Sequence, residues 1–162
     1  MASLKIPTVY IESSVISYYT NEMSNFLEIA AAQKITHEWW HKIMPKLRPY
    51  ISPYVFSEIS NGNIQEANKR KSVIERIEIL TETKDVIDLA RKYFHQLSLP
   101  KKAELDAFHL AIATVYNIDF LVSWNCKHIA NSFKFNKIKN INNKLGFNTP
   151  NICIPTMMME IE

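Results

Sequence analysis

The segment Val9-Tyr-Ile-Glu-Ser-Ser-Val-Ile16 decides the fold, because in it a short β-branched and aromatic run ends at an acidic side chain and two serines. Residues 7–11 are too few for a helix and predict a buried first strand. In parallel sheets, ligands collect at the carboxyl ends of the strands. Glu12, directly after this strand, is therefore the first candidate for a functional group.

Three later segments also place a polar side chain near the end of an apolar stretch. They are Ser52-Pro-Tyr-Val-Phe-Ser-Glu-Ile59, Glu104-Leu-Asp-Ala-Phe-His-Leu-Ala-Ile-Ala113 and Asp119-Phe-Leu-Val-Ser-Trp-Asn-Cys-Lys-His-Ile129. The candidate site residues are Glu12, Glu58, Asp106 and Asn125. Taken singly, each also has a structural explanation as a helix cap or an exposed helical acid, so only their joint occurrence indicates a site.

The order of elements predicts the fold class. Further strands are expected near residues 49–52, 77–80, 120–123 and 151–154. Helices are expected over residues 24–44, from Pro53 through Glu58, within 63–76, and over 85–97 and 101–117, whereas 136–149 is expected to form loops with a short helix. Strands that alternate with helices favour a three-layer α/β/α sandwich with a central, mainly parallel sheet, in a single domain spanning residues 1–162.

The composition excludes several classes of function. Only two glycines are present, so Gly-rich phosphate-binding loops are absent. Cys126 and Cys153 form no Cys-x-x-Cys pair, and the dispersed histidines form no zinc motif. The apolar start is too short for a signal peptide, and no run approaches the roughly 20 apolar residues of a membrane-spanning helix. We therefore expect a cytoplasmic protein that does not bind a membrane.

The charge is unevenly distributed along the chain. The formal net charge is +3, but no Asp or Glu lies between Phe120 and Met159. The lysines of this stretch are Lys127, Lys134, Lys137, Lys139 and Lys144. A positive surface beside an acidic site attracts a polyanion that carboxylates alone repel. On composition alone, a solvated lysine-rich surface explains the pattern equally well, and the cluster Lys69-Arg70-Lys71 is expected to be a charged helix face.

The order and spacing of these segments resemble the PIN-domain family, in particular VapC-like toxins. The resemblance runs from Val9 to Pro155 and is strongest in Asp106-Ala-Phe-His-Leu-Ala and Leu121-Val-Ser-Trp-Asn-Cys-Lys-His-Ile. It implies a metal-dependent endoribonuclease that is the toxin of a type II toxin-antitoxin pair, forms a homodimer and is held inactive by an antitoxin protein. The family normally has Asp where this chain has Glu12, and often Asp where it has Asn125.

The resemblance also assigns roles to the site residues. Glu12 and Asp106 are expected to hold Mg²⁺ or Mn²⁺, since oxygen ligands select hard cations. Glu58 is expected to orient or deprotonate the attacking water, and Asn125 to complete the outer ligand set. The expected supporting residues are Ser13, Ser14 and Ser123, and the possible RNA contacts are His109, Lys127 and His128.

Two other functions are compatible with the sequence. A PIN-like module whose catalysis is weakened by Glu12 and Asn125 would still bind RNA or an antitoxin. A purely structural oligomerisation domain would use its aromatic residues but leaves the ordered acids unexplained. The aromatic candidates for a dimer or antitoxin groove are Tyr18, Tyr19, Phe26, Trp39 and Trp40, although packing in the core is the expected use of most of them.

Overall fold

The sheet is parallel throughout. A computed structural model describes residues 3–159, in which one sheet has the strand order β3-β2-β1-β4-β5. The strands are β1 (Thr8–Ile11), β2 (Arg48–Ile51), β3 (Glu78–Ile79), β4 (Phe120–Val122) and β5 (Asn151–Cys153). Every neighbouring pair is parallel, which confirms the predicted α/β class.

Helices flank this sheet. They are α1 (Ser13–Thr20), α2 (Leu27–Glu38), α3 (Pro53–Ile59), α4 (Ile64–Val73), α5 (Lys84–Gln96), α6 (Glu104–Val115), α7 (Ser132–Leu145) and α8 (Pro155–Met158). Helix α5 packs against α6, and α1 packs against α2, α3 and α4. Within residues 3–159, none of the helices has both the length and the apolar character needed to cross a membrane.

The two central strands bring the candidate site together. Val9, Tyr10 and Ile11 in β1 have no exposed surface, as expected for the middle strand of a covered parallel sheet. Ile11 pairs with Val122 of β4, and the backbone N–H of Glu12 donates to the Val122 carbonyl at 3.1 Å. The residues that follow β1 and β4 therefore leave the sheet side by side.

Local sequence signals begin the helices next to the site. Helix α3 begins at Pro53, as predicted, and Ser52 caps it by accepting a hydrogen bond from the Val55 N–H at 3.3 Å. The carboxylate of Glu12 caps α1 by accepting from the Ser14 N–H. Glu12 and Glu58 thus lie on backbone that is fixed by helix capping.

The expectation of loops with a short helix at residues 136–149 was wrong. Helix α7 is 14 residues long, begins after the capping residue Asn131 and ends at Gly146, whose φ of 78° is left-handed. Ile138, Ile141 and Asn142 are buried at helical spacing along its inner face. The abundance of Asn and Lys obscured this short apolar stripe.

The predicted helix over residues 24–44 is divided. Helix α2 begins at Leu27, three residues later than predicted, and is followed by a π-helical stretch (Trp39–Ile43) and a 3₁₀ turn (Met44–Lys46). The wider π-helical turn carries the adjacent residues Trp39 and Trp40, both of which are buried. Hydrophobicity alone does not distinguish this turn from a regular helix.

The basic cluster 69–71 forms part of a charged helix face, as predicted. Lys69 pairs with Glu66 at 3.1 Å on α4. Arg70 donates to the backbone carbonyls of Ile59 and Asn61 at 2.9 and 2.7 Å. Arg70 therefore holds the end of α3 against α4.

A core substitution should test the buried sheet. Leu121 in β4 has no exposed surface, so Leu121→Ala should lower the free energy of unfolding by about 3 kcal/mol and the melting temperature by about 6–12 °C. Leu27, which is 88% exposed, provides the matched control Leu27→Ala. Thermal unfolding by circular dichroism measures both, and equal losses would contradict the described core.

Candidate active site

The carboxylate of Glu12 is held by serines from the first turn of α1 and from the loop after β4. Its Oε2 atom accepts hydrogen bonds from Ser123 Oγ at 2.7 Å, from the Ser14 backbone N–H at 3.1 Å and from Ser14 Oγ. Its Oε1 atom accepts from Ser13 Oγ at 3.0 Å. The whole residue is only 4% exposed. Oε2 is thus saturated by donors within the protein, whereas Oε1 has capacity for a ligand.

Two of these serines, Ser14 and Ser123, also accept hydrogen bonds from the backbone of the loop after β4. Ser14 Oγ accepts from the Trp124 N–H, and Ser123 Oγ accepts from the Asn125 N–H, each at 2.9 Å. The structure thus brings the three predicted supporting serines to one carboxylate. Because donors from α1 and from the loop after β4 converge on Oε2, the position of Glu12 is set by the fold as well as by its own rotamer.

Glu58 extends from α3 to face Glu12. Its Oε1 atom accepts from Ser13 Oγ at 2.9 Å and is also hydrogen-bonded to His109 Nε2. Potential ligand atoms of Glu12, Glu58 and His109 all lie within 4.8 Å of one another. Among the described residues no donor to Oε2 of Glu58 is found, and this side chain is 31% exposed. Oε2 is therefore the oxygen that can meet a ligand.

His109 is not an RNA contact, and that expectation was wrong. Its side chain has no exposed surface, because it is enclosed between Glu58 and Tyr10. His109 Nδ1 lies 2.6 Å from the Tyr10 hydroxyl, which lies 2.6 Å from Ser52 Oγ. Sequence reasoning missed Tyr10 and Ser52 because they belong to other strands and loops, and only the three-residue spacing from Asp106 to His109 indicated that the histidine faces the site.

The contact between Glu58 and His109 favours the charged form of each partner. Burial lowers the pKa of His109, but the hydrogen bond and charge of Glu58, with further negative charge from Glu12 and Asp106, raise its pKa overall. Burial raises the pKa of Glu58, but the hydrogen bond and charge of His109 and the Ser13 hydroxyl lower its pKa overall. The histidine therefore stabilises the ionised Glu58 carboxylate.

Asp106, in the first turn of α6, completes the acidic cluster. Burial, together with the charges of Glu12 and Glu58, raises the pKa of Asp106 to about 6, against the lowering effects of His109 and Asn125. Carboxylates that approach one another without a cation are expected to behave in this way. The structure therefore brings all three predicted acids into one electrostatic unit.

Asn125 lies near Asp106 and caps the turn that follows. Its Oδ1 atom accepts the His128 backbone N–H at 3.1 Å. Its side chain also lowers the pKa of the Asp106 carboxyl group. The amide oxygen retains a second lone pair, so the place of Asn125 in the outer ligand set stays a prediction.

Cationic side chains border the acids on one side. Lys134 Nζ lies 2.9 Å from His128 Nδ1. Partial burial and the charges of Lys134, Lys127 and Lys102 lower the pKa of His128, so its ring is neutral at pH 7. Partial burial, Lys127 and Lys137 lower the pKa of Lys134, whereas Asp106 opposes this. We call Lys102, Lys127, His128 and Lys134 the basic rim.

Fold and site together define an α/β protein whose carboxylates gather at the carboxyl ends of a parallel sheet. The PIN domain family model matches residues 9–125, which is most of the chain. The chain belongs to the PIN domain family. No curated protein sequence matches it.

Solved VapC structures have a similar fold. VapBC-1 from nontypeable Haemophilus influenzae has a TM-score of 0.58 and 16% identity, covering 92% of this chain and 98% of that one. VapC20 from Mycobacterium tuberculosis, a sarcin-ricin loop cleaving toxin, has a TM-score of 0.60 and 12% identity, with coverages of 75% and 92%. VapBC2 from Rickettsia felis, bound to a DNA fragment from its promoter, has a TM-score of 0.60 and 14% identity, with coverages of 91% and 98%. At these identities the similarity establishes the fold.

Neutralising Asp106 should stabilise the metal-free protein. Because the folded protein raises the pKa of Asp106 to about 6, ionising it costs stability, and this cost grows as pH rises from about 4 through 6. After allowance for solvent screening, Asp106→Asn should gain about 1 kcal/mol at pH 8, or about 2–4 °C, and almost nothing at pH 4.

Thermal unfolding in chelator at pH 4 and pH 8 measures this effect. Asp88→Asn, which changes an exposed acid on α5, is the matched control and should stay within about 0.5 kcal/mol of wild type at both pH values. A variant of Asp106 that is less stable than wild type at pH 8 would contradict the repulsive cluster.

Proposed function

We propose that this protein is a metal-dependent endoribonuclease that hydrolyses RNA phosphodiester bonds as the toxin of a type II toxin-antitoxin pair. The observation that carries the proposal is the cluster of Glu12 and Glu58 at one end of the sheet, with Asp106 near enough for their charges to raise its pKa. Membership of the PIN domain family and the similarity in fold to VapC proteins support it.

The donor set fits Mg²⁺ or Mn²⁺. Glu12 Oε1 and Asp106 would hold the ion, and Glu58 Oε2 would face it, all being the oxygen ligands that hard cations prefer. His109 is in the same cluster, but both of its ring nitrogens already have partners within the protein. When bound, the ion would offset phosphate charge, favour ionisation of the attacking water and stabilise the leaving oxygen.

The protein's own residues then have distinct tasks. Ser14 and Ser123 fix the orientation of Glu12, and Asn125 would complete the outer ligand set. Glu58 stays ionised because His109 lowers its pKa, which makes it a good hydrogen-bond acceptor and a weak base. Glu58 therefore orients the attacking water rather than removing its proton.

The basic rim would guide RNA to the acids. Lys127 is exposed, and Lys134 is close enough to Asp106 for their charges to interact. Cations at this distance attract the phosphate backbone and compensate for the repulsion between phosphate and the carboxylates. His128, neutral and hydrogen-bonded to Lys134, helps to position that lysine.

An antitoxin and a second copy of the chain are further proposed partners. Two of the similar structures are VapBC proteins. At the start of α2, Phe26 and Leu27 are 73% and 88% exposed, an apolar surface suited to a protein contact. Trp39 and Trp40 are buried and do not belong to such a surface. We further propose that the chain acts in the cytoplasm as a single domain.

Metal-dependent RNA cleavage tests the proposed function. Metal-stripped protein should cut members of a panel of structured and single-stranded RNAs only after Mn²⁺ or Mg²⁺ is added, because the carboxylates need a cation to accept phosphate. Asp106→Asn should lose at least about 100-fold in rate while remaining folded. Asp88→Asn should cut like wild type.

The same proteins separate the alternatives. Mn²⁺ should raise the melting temperature of wild type but not of Asp106→Asn, since a ligand that binds only the folded state stabilises it. A stabilised wild type that cuts nothing, together with a Glu12→Asp variant that does cut, would indicate a weakened PIN module. Equal cleavage by wild type and Asp106→Asn would exclude this site as the nuclease centre.

Removing one cation of the basic rim should weaken RNA binding. Lys134→Ala should reduce affinity several-fold and lower the slope of log affinity against log salt by about 1, because one phosphate contact is lost. Lys144 lies ten residues further along α7, about 15 Å away, so Lys144→Ala should change RNA affinity little. Fluorescence anisotropy with catalytically inactive protein measures both, and equal effects would contradict a localised rim.

A further inference from the structure

A buried chain of polar side chains ends at Glu58. Ser52, Tyr10 and His109 have no exposed surface, yet they are linked in that order by hydrogen bonds of 2.6 Å. They come from the end of β2, from β1 and from α6. Burying a histidine, a phenol and a hydroxyl together costs free energy unless every polar atom is satisfied.

Inside the protein, this chain is fully satisfied. Ser52 Oγ meets both the Tyr10 hydroxyl and the Val55 N–H, and the Tyr10 hydroxyl meets Ser52 and His109 Nδ1. His109 Nε2 is then hydrogen-bonded to Glu58 Oε1. In residues 3–159, no buried side-chain polar atom lacks a partner. The one end of the chain that reaches the site is therefore the contact with Glu58.

Glu58 needs this contact to stay in place. The side chain is 31% exposed, and its second donor, the Ser13 hydroxyl, has a single proton to share with Glu12. A glutamate that shares its only other donor with a neighbouring carboxylate, and is repelled by that carboxylate, would turn towards solvent. His109 Nε2 supplies a full donor on the side facing the protein interior.

We infer that His109 is a positioning residue, held by Ser52 and Tyr10, that fixes Glu58 Oε1 so that Oε2 is the oxygen presented to cation and water. The inference rests on the proposed function and assigns to it a residue that does not touch the substrate. It also means that His109 is not a metal ligand, because Nε2 would first have to give up Glu58 while Nδ1 stays bound to Tyr10.

Two substitutions of His109 test whether its donor atom matters. His109→Gln can place an amide N–H near the position of Nε2, whereas His109→Leu keeps the bulk and removes the donor. We expect His109→Leu to lose about 10–100-fold in kcat and in Mn²⁺ affinity with KM for RNA little changed, and His109→Gln to recover most of this loss. The exposed residue His95 provides the control His95→Gln.

A double-mutant cycle with Glu58→Gln tests whether His109 acts through Glu58. If it does, adding His109→Leu to Glu58→Gln should change kcat and Mn²⁺ affinity less than about 3-fold, because the group being positioned is already lost. Isothermal titration with Mn²⁺ measures the affinity independently of cleavage. If His109→Leu lowers kcat and Mn²⁺ affinity as much in the Glu58→Gln background as in wild type, the inference is overturned. His109 would then bind the metal directly or stabilise the fold.

Tyr10→Phe extends the test if His109→Leu does not fold. This substitution removes only the hydroxyl that holds His109 Nδ1 and should lower kcat and Mn²⁺ affinity about 3–10-fold. Combining it with Glu58→Gln should cause no further loss of either. Unchanged kcat and Mn²⁺ affinity in Tyr10→Phe would overturn the inference.

The two proposals fail in different ways. A wild type that binds Mn²⁺ but cuts no RNA contradicts the nuclease alone, because the affinity cycle still measures the role of His109. A wild type that neither binds Mn²⁺ nor cuts RNA overturns both.

Discussion

Repulsion between carboxylates at the end of the sheet is the constraint on which the rest of this structure depends. Glu12 and Glu58 are close enough to share the proton of the Ser13 hydroxyl, and the charges of both raise the pKa of Asp106. The fold supplies fixed donors to two of the acids: serines to Glu12 and the buried ring of His109 to Glu58. These two carboxylates keep partners within the protein, so this part of the cluster is organised before any ligand binds.

That organisation follows from the parallel sheet. The pairing of Ile11 with Val122 brings the ends of β1 and β4 to one level, so that Ser123 reaches Glu12. Helix capping at Ser52 sets the start of α3 and hence the place of Glu58. The cost of ionisation is largest at Asp106, whose pKa is raised mainly by burial and further by the charges of Glu12 and Glu58, and a bound cation would offset this cost. A site of this kind is less stable without its ligand and gains stability on binding it.

Sequence patterns predicted the sheet and the acids because those signals are local. Apolar runs ending in Glu12 and Asn125, and the Ser52-Pro53 cap, are visible within a few residues. The partners that hold the acids are not local: Tyr10 is 99 residues from His109, and Ser123 is 111 residues from Glu12. For this reason His109 was named as a possible RNA contact before the geometry showed its partners within the protein. The length of α7 was missed because its few buried apolar residues lie among Asn and Lys.

The most direct test of the account is anomalous diffraction from crystals grown or soaked with Mn²⁺. The account predicts one or more manganese peaks bounded by Glu12 Oε1, Glu58 Oε2 and Asp106, with the bonds from Ser14 and Ser123 to Glu12 Oε2 and from His109 to Glu58 Oε1 unchanged. The absence of a peak at saturating Mn²⁺, or manganese bound to His109 with Glu58 turned away, would contradict it.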